Sequence, residues 1–357
     1  MKLHNNFQLN GRGFSSPEEL IDFSKEISKG LQLFLKEWFA KTPSIEVHTS
    51  GSTGTPKTIL LKKEFLIHSA QATQKELDLG AHSTALMCLS ENYIAGKMML
   101  VRALVLGWDL EMVAPDSNPL KDVNKTYDFS AMVPLQLQNS LDKLHQIQKV
   151  IVGGGVVSLE LKEQLQSVDT IVYATYGMTE TSTHIALKQL NHFPEGECSK
   201  HSFYKVLPNV KIYKDTRNCL VIDAPKVSDG ILFTNDVVQF ISDTQFEWLG
   251  RYDNVINSGG IKLHPEKIEE KLSGILDQRF FVTGIFDPQL GEKLVLVVEF
   301  DGGDVSTFRI LVAKKINALQ TLSRFEVPKE IYVTSNFVET ATKKIQRKKT
   351  LDLIDRI

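Results

Sequence analysis

Residues 44–57 read SIEVHTSGSTGTPK, a short apolar strand that runs directly into a loop of serine, threonine and glycine. The two glycines let the loop backbone approach a polyphosphate closely, and the hydroxyls and exposed amides can donate hydrogen bonds to phosphate oxygens. Lys57 adds a compensating positive charge at the end of the loop. The stretch therefore predicts a phosphate-binding loop formed by Thr49, Ser50, Gly51, Ser52, Thr53, Gly54 and Lys57.

Two other interpretations of this loop are weaker. The Walker phosphate loop of kinases and GTPases, counted from Gly51, requires a glycine at position 56, where Pro56 has no N–H to donate. A polar turn without a ligand would not need five hydroxyl residues, two glycines and a lysine within residues 49–57. The loop thus favours a polyphosphate site outside the Walker class.

Strands and helices alternate along residues 85–174, as judged from the period of their apolar residues. The predicted elements are the strands Ala85–Leu89, Leu110–Val113, Phe129–Val133, Val150–Val152 and Thr170–Ala174, and the helices Ile94–Leu106, Gln136–His145 and Leu159–Leu165. Repeated strand–helix units are typical of a mostly parallel sheet with helices on both faces. We therefore expect an α/β fold, with this βα-layered sheet in a large N-terminal domain.

The regions on either side have other patterns. Ser16-Pro17-Glu18-Glu19 predicts the capped start of one amphipathic helix that continues to Trp38, and a second helix is expected from Lys63 to about Leu79. Beyond residue 206, short apolar segments separated by turn residues predict a small β subdomain attached to the large sheet domain. These segments are Val210–Tyr213, Leu220–Ile222, Gly230–Phe233 and Val237–Ile241. Residues 263–357 predict a compact α+β unit.

Composition and charge limit the possible functions. The 41 Lys and Arg residues oppose 43 Asp and Glu residues, and the net charge of −2 provides no global positive field for nucleic acid or an anionic membrane. No apolar stretch approaches the roughly 20 residues of a membrane-spanning helix, and the N-terminus lacks a secretory signal. Three cysteines without close spacing favour a reducing compartment. We therefore expect a cytoplasmic protein without nucleic-acid binding or membrane insertion, and the oligomeric state stays open.

Further segments carry groups suited to nucleotide chemistry. Residues 173–180, YATYGMTE, offer the ring of Tyr176 to stack on adenine, the hydroxyl of Thr179 to hold a phosphate, and the carboxylate of Glu180 to ligate Mg²⁺. Asp236 can accept both ribose hydroxyls, and Arg251 can reach ribose or phosphate with its fork of donors. Read alone, the first segment could be a capped strand end and Asp236 a turn residue.

Taken together and in this order, the segments resemble the motifs of the adenylate-forming superfamily, which includes acyl-CoA synthetases, peptide-synthetase adenylation domains and firefly luciferase. Residues 258–260, SGG, and 340–347, TATKKIQR, complete the family's series, and the resemblance spans roughly residues 45 to 350. Asn235 and Lys343 stand where the family has glycines. Because asparagine tolerates positive φ, we expect the family's turn at Asn235 to survive.

The resemblance implies the chemistry. The substrates are a small carboxylic acid and coenzyme A, and the cofactors are ATP and Mg²⁺. The acid attacks the α-phosphate of ATP to form an acyl-AMP with release of pyrophosphate, and the thiol of coenzyme A then displaces AMP. The family's roles fall on Lys344, Thr179 and Glu180 for catalysis, with Glu180 as the metal ligand, and on Gly154, Gly155, Tyr176, Gly177, Asp236 and Arg251 for the nucleotide. The register leaves Lys343 as the alternative to Lys344.

The resemblance also implies two domains. The family's hinge residue matches Asp253, which divides the chain into an AMP-binding domain, residues 1–252, and a small mobile α+β domain, residues 253–357. The small domain carries Lys344, and Gly259 and Gly260 would face the pantetheine arm of coenzyme A. Its rotation about Asp253 would separate the two half-reactions.

The acid itself is predicted from fewer residues. The short segment before the phosphate loop and residues 90–97, SENYIAGK, most resemble the family's o-succinylbenzoate ligases of menaquinone synthesis. The candidate acid-binding residues are Tyr93, Arg102 and His184; Arg102 could face a second carboxylate or pair within the protein, and His184 could be structural. Other aryl- or fatty-acyl-CoA ligases, a carrier-protein-loading enzyme and a catalytically silent nucleotide-binding regulator are the alternatives.

Overall fold

The computed structural model describes residues 1–48, 58–193, 202–340 and 345–354. Within these ranges the α-helices are α1 Pro17–Phe23, α2 Lys29–Phe39, α3 Lys63–Leu77, α4 Ile94–Leu106, α5 Pro134–Asn139, α6 Leu159–Gln164, α7 Pro265–Leu272, α8 Val305–Ala318 and α9 Arg347–Ile354. The strands up to residue 189 are β1 Gln8–Leu9, β2 Arg12–Gly13, β3 Ser44–His48, β4 Thr58–Lys62, β5 Thr84–Met87, β6 Asp109–Met112, β7 Tyr127–Met132, β8 Ile147–Val152, β9 Ile171–Gly177 and β10 His184–Gln189. The later strands are β11 Tyr204–Val206, β12 Lys211–Lys214, β13 Cys219–Asp223, β14 Leu232–Ser242, β15 Gln245–Arg251, β16 Ile256–Ser258, β17 Ile261–Leu263, β18 Phe280–Asp287, β19 Gly291–Glu299 and β20 Glu330–Thr334.

One large sheet organises the first 251 residues. Its strand order is β12-β13-β14-β15-β11-β10-β9-β8-β7-β5-β6-β1-β2. The pairs from β1 through β6, β5, β7 and β8 to β9 are parallel, and α3 to α6 belong to the connections of this half. The predicted mixed α/β fold with a βα-layered sheet is therefore confirmed.

The small β subdomain continues the same sheet. Strand β10 pairs antiparallel with β9, and the hairpins that follow extend the sheet edge as far as β12. The predicted segments Gly230–Phe233 and Val237–Ile241 are one strand, β14, whose pairing shifts register between Val237 and Val238. The apolar pattern looked like two strands because the polar residues 234–236, Thr-Asn-Asp, which are common in turns, interrupt it.

Two local predictions are wrong. The predicted order of strand, loop and helix at residues 44–79 omits a strand: β3 forms an antiparallel hairpin with β4, with residue 48 opposite residue 58, and α3 begins only after β4. The helix expected to run from Pro17 to Trp38 is interrupted, because Ser28 is extended and its hydroxyl accepts a hydrogen bond from the Leu31 N–H at 3.0 Å. Ser28 therefore caps α2 as a new helix.

A separate five-stranded sheet follows, with the order β17-β16-β19-β18 and with β20 parallel to β19. Helices α7 and α8 cover one core of this sheet through Ile268, Leu272 and Phe308. The α+β pattern expected for this region is confirmed, whereas a domain boundary at Asp253 stays a prediction. No helix in the described part of the chain is long and apolar enough to cross a membrane.

Helix α4 matches its predicted bounds and packs in the core of the large sheet unit. Its residues from Met98 to Leu104 are almost completely buried, and Arg102 is among them with 1% exposure. A helix that is apolar on all sides is expected to be buried in this way. The charged side chain of Arg102 is exceptional in such a helix, and it lines the cavity of the candidate site.

Candidate active site

A cavity of about 350 Å³ opens at the carboxyl ends of β7, β8 and β9 and is bordered by α4. Ligands in open parallel sheets bind at this edge, since the strand ends and their loops converge there. Five predicted site residues line this cavity: Arg102, Gly154, Gly177, Thr179 and His184. The structure therefore brings together residues that are far apart in the sequence.

Two glycines allow close backbone approach at the cavity. Gly154 has φ +80°, a conformation that favours glycine, in the loop after β8. At Gly177, a Cβ atom would lie 2.2 Å from the Thr183 carbonyl oxygen, so only glycine lets the end of β9 pack against the start of β10. Gly155 is exposed beside Pro134 and lies outside the cavity lining.

The turn after Gly177 presents Thr179 to the cavity and Glu180 to solvent. The hydroxyl of Thr181 closes this turn: it accepts from the Met178 N–H at 3.1 Å and donates to the Thr183 carbonyl at 2.7 Å. Thr181 was not singled out from the sequence, although a threonine inside a turn is a usual signal for such contacts. Among the described residues, no group of three metal-ligating side chains is present, and the role of Glu180 stays a prediction.

Asp236 is the centre of a buried polar cluster with Tyr176, whose chain neighbours Thr175 and Gly177 line the cavity, although neither Asp236 nor Tyr176 is part of that lining. Its Oδ2 accepts from the Tyr176 hydroxyl at 2.6 Å, and its Oδ1 accepts from the Trp248 indole N–H at 3.1 Å. The Arg251 guanidinium lies 3.7 Å from Oδ1. Burial and the charge of Asp236 strongly raise the pKa of Tyr176, which keeps the phenol protonated as a donor. Among the described residues each carboxylate oxygen accepts one hydrogen bond, which leaves lone-pair capacity for a ribose hydroxyl.

The ring of Tyr176 is packed as well as hydrogen-bonded. It meets Tyr204 and Phe246 edge to face, with ring centroids 5.9 and 5.2 Å apart. Such packing fixes the ring orientation. Neither Trp248 nor this aromatic cluster belongs to a sequence motif. The pairing of β14 with β15 places Trp248 next to Asp236, and the sheet order β15-β11-β10-β9 places Phe246 and Tyr204 next to Tyr176.

The backbone conformation of Asn235 differs from the predicted turn. It lies within β14 and is not one of the positive-φ residues, so no family-like turn survives there. Its side-chain amide donates to the Asp253 carboxylate at 3.2 Å and its carbonyl accepts from Arg217 at 2.8 Å. Arg251 also donates to Asp253, at 3.3 Å. Asp253, the predicted hinge, is therefore tied to the end of the large sheet by two side chains.

Arg102 and His184 form the deep end of the cavity. The Arg102 Nε lies 3.4 Å from the Thr73 hydroxyl, which is also 3.4 Å from His184 Nε2. Burial lowers the pKa of Arg102 to about 10, yet the guanidinium stays charged at neutral pH. Within the described residues, its Nη2 has no hydrogen-bond partner and no carboxylate pairs with it. Such an arrangement leaves a buried cation ready for an anionic ligand.

The third predicted acid-binding residue is placed elsewhere. Tyr93 precedes the first residue of α4 in an extended conformation and is 58% exposed. It does not line the cavity with Arg102 and His184. The expected contribution of Tyr93 to the cavity wall is therefore not found, because the helix start turns its side chain toward solvent.

His184 should make stability depend on pH. Burial, helped by the positive charge of Arg102, lowers its pKa to about 3 from 6.5. The unfolded chain therefore binds a proton as the pH falls below about 6.5, whereas the folded chain does not. We expect the free energy of unfolding to drop by about 2 kcal/mol from this histidine alone between pH 7.5 and about pH 5.

Urea unfolding at both pH values checks this expectation. The His184→Gln variant should lose about 2 kcal/mol less than the unchanged protein over the same interval. Comparing the change with pH within each variant removes any constant cost of the substitution. Equal pH dependence in the two proteins would contradict the neutral, buried state of His184.

Gly259 and Gly260 form the turn between β16 and β17, with φ +58° and +82°. A Cβ atom at Gly260 would meet open space, so it is the positive φ that favours glycine here. The predicted phosphate loop, Thr49 to Lys57, and the two lysines Lys343 and Lys344 lie outside the described residues. Their flanks are held by the β3–β4 hairpin and by a bridge between Glu339 and Ile345.

Comparison with known proteins defines the class. A family model described as AMP-binding enzyme matches residues 19–225, more than half of the chain, and the chain belongs to this family. A solved acyl-CoA synthetase (AMP-forming)/AMP-acid ligase II-like protein from Dyadobacter fermentans is 37% identical, covers 91% of this chain and 93% of its own, and has a TM-score of 0.59.

Several further proteins similar to this chain are named as the same ligase. The 2-succinylbenzoate–CoA ligases of Escherichia coli and Bacillus cytotoxicus are 24% and 26% identical over 79% and 95% of this chain. The match covers 64% and 77% of those relatives' own lengths. The o-succinylbenzoate CoA synthetase of Bacillus subtilis, solved with its acyl-adenylate intermediate, has a TM-score of 0.72 over 85% of this chain and 68% of that one. At 21% identity, this last likeness shows the fold alone.

Proposed function

We propose that the chain is an AMP-forming acid–thiol ligase that activates o-succinylbenzoate and transfers it to coenzyme A. The observation that carries the choice of acid is the buried, charged Arg102, whose Nη2 has no partner among the described residues. The names of the relatives above agree with this choice. Domain rotation about Asp253, with residues 253–357 as the moving unit, is part of the proposal.

The chemistry follows from the leaving group. A free carboxylate is a poor acyl donor because oxide would have to leave, whereas AMP leaves readily from an acyl-AMP. The protein must bring two anions together, the acid and the α-phosphate, so positive charge and hydrogen-bond donors at the meeting point lower the barrier. We assign that task to Lys344, the hydroxyl of Thr179 and the hydroxyl-rich loop.

The nucleotide side uses residues already held in place. Asp236 accepts the ribose hydroxyls, and Arg251, 3.7 Å from Asp236, donates to the ribose or phosphate. Glu180 suits Mg²⁺, since this ion is commonly held by one or two carboxylates together with substrate phosphates. When bound, Mg²⁺ would neutralise phosphate charge.

The acid side matches o-succinylbenzoate in two respects. The apolar lining that includes Leu89, Met98 and Ile151 suits its aromatic ring. Its second carboxylate suits Arg102, because a buried guanidinium gains a strong, charge-assisted hydrogen bond from such a partner. Benzoate and octanoate would leave the cation unpaired, and succinate would leave the apolar lining unfilled.

The test measures AMP release, dependent on coenzyme A, with o-succinylbenzoate, benzoate, succinate and octanoate. We expect kcat/KM to be about a hundredfold higher for o-succinylbenzoate, since benzoate and octanoate leave the buried cation unpaired and succinate leaves the apolar lining unfilled. Preference for benzoate or octanoate would favour another acyl-CoA ligase. Activity only with a phosphopantetheinyl protein would favour a carrier-loading enzyme, and ATP binding without acid-dependent pyrophosphate release would favour a silent regulator.

A further inference from the structure

Five charged side chains form a cluster where α7 contacts the large sheet unit, and we name this cluster the α7 network. Its members are Lys267 and Glu270 on α7, Lys162 on α6, Lys188 on β10 and Glu247 on β15. The network therefore joins the small sheet unit to three elements of the large one.

The pairs of the α7 network share partners. Lys162 lies 2.5 Å from Glu270, and Lys267 lies 3.1 Å from Glu270 and also bonds to Glu247. Lys188 lies 3.2 Å from Glu247. The side chains are only 16% to 27% exposed, so water screens their attraction less than it would at an open surface.

The lowered pKa of Glu270 is consistent with these ion pairs. Burial by itself raises the pKa of Glu270, but the charges of Lys162 and Lys267 outweigh that effect and lower it to about 2. Glu270 is therefore charged at any physiological pH. Losing one charge would leave the other members buried without full compensation, which is costly.

The neighbouring face of α7 holds the segment that follows the predicted catalytic lysine. Glu269 binds Arg347 through both oxygens, at 2.9 Å each, and Arg347 also donates to the Val282 carbonyl at 2.7 Å. Arg347 lies 3.9 Å from Glu266. A Cβ atom at Gly250 would lie 2.2 Å from Glu266, so this face lies against the end of β15, beside Arg251.

One helix thus connects both units. Residues 267 and 270 bind the large sheet, while residues 266 and 269, one position earlier, hold Arg347 three residues after Lys344. Positions three apart lie on one helix face, so these are two adjacent stripes. On the basis of the proposed ligase function, we infer that Lys267 and Glu270 are positioning residues. They hold the small sheet unit in the orientation used for acyl-adenylate formation.

The test separates the two half-reactions. Acid-dependent exchange of pyrophosphate into ATP reports adenylation, and thioester formation from supplied acyl-AMP and coenzyme A reports the second step. For Glu270→Lys we expect adenylation to fall about tenfold or more, with thioester formation unchanged or faster. Adding Lys162→Glu reverses one of the two ion pairs of Glu270, whereas Lys267 then faces a lysine, so adenylation should recover in part, by about threefold or more.

Glu330→Gln is the matched control. Glu330 pairs with Lys293 inside the small sheet unit, is more exposed and contacts no part of the large sheet in the described ion pairs. Equal loss of both half-reactions in Glu270→Lys, failure of the reversed pair to restore adenylation, or loss of thioester formation alone would each overturn the inference.

A distance measurement keeps the inference testable if the ligase proposal fails. Spin labels at Leu135→Cys on α5 and Ile310→Cys on α8, both exposed, report the separation of the two units in a Cys198→Ser background. If no acid supports pyrophosphate exchange in the unchanged protein, the ligase proposal is lost. The distribution of distances between the two labels should then still broaden in Glu270→Lys and narrow again when Lys162→Glu is added. An unchanged distribution in Glu270→Lys would overturn the role of the α7 network.

Discussion

We expect the Lys344→Ala enzyme to form acyl-adenylate about a thousandfold more slowly than the unchanged enzyme, but to convert supplied acyl-AMP and coenzyme A to the thioester at a similar rate. The reason is electrostatic: in the proposed mechanism the lysine would stand between two anions in the first half-reaction, whereas the second step starts from an acyl-AMP in which that repulsion has already been overcome. Pyrophosphate exchange and single-turnover thioester formation measure the two rates separately.

Lys343→Ala is the matched control for this prediction, because it removes the same charge one position earlier. We expect it to change adenylation less than about threefold. A large loss in Lys343→Ala with little effect in Lys344→Ala would move the catalytic role by one residue. Equal damage to both half-reactions in Lys344→Ala would contradict a role confined to adenylation.

Replacing Arg102 by methionine should raise the KM for o-succinylbenzoate about a hundredfold, because the second carboxylate then meets an apolar side chain instead of a guanidinium. Benzoate has no second carboxylate, so its kcat/KM should change less than about threefold. Arg102→Lys keeps the charge but loses the fork of donors, and an intermediate KM is expected. Steady-state kinetics with both acids test this.

The same substitution should stabilise the unliganded protein. The lowered pKa of Arg102, about 10 instead of 12.5, corresponds to a cost of about 3 kcal/mol for the buried charge, and methionine removes that charge while keeping much of the volume. Urea unfolding should therefore show a higher free energy of unfolding for Arg102→Met. Residues that bind a ligand often lower the stability of the unliganded protein.

Lys63→Met is the control, since Lys63 is also 1% exposed but donates to the Ala40 carbonyl at 2.8 Å and does not line the cavity. It should lower stability and leave acid selectivity unchanged. A lower free energy of unfolding in Arg102→Met, together with an unchanged KM for o-succinylbenzoate, would assign Arg102 to the fold and not to the acid.

Much of the local structure could be predicted from the sequence. The bounds of α4 and the positions of β7 and β8 follow from runs of apolar residues between turn signals, because burial of each element depends on its own period. The break between α1 and α2 could have been found at Ser28, a capping residue followed by helix formers. The β3–β4 hairpin could not, since the glycine-rich loop resembles a strand-to-helix connection.

The sequence by itself determined the order of elements and the chemical groups available for nucleotide chemistry, since both depend on residues close together in the chain. Only the tertiary structure decided which groups meet. Pairing of β14 with β15 places Trp248 on Asp236, and packing of α3 against α4 places Thr73 within 3.4 Å of both Arg102 and His184. Contacts between distant segments depend on sheet order and register, which no local pattern encodes, and this is why the unpaired state of Arg102 and the α7 network appear only in three dimensions.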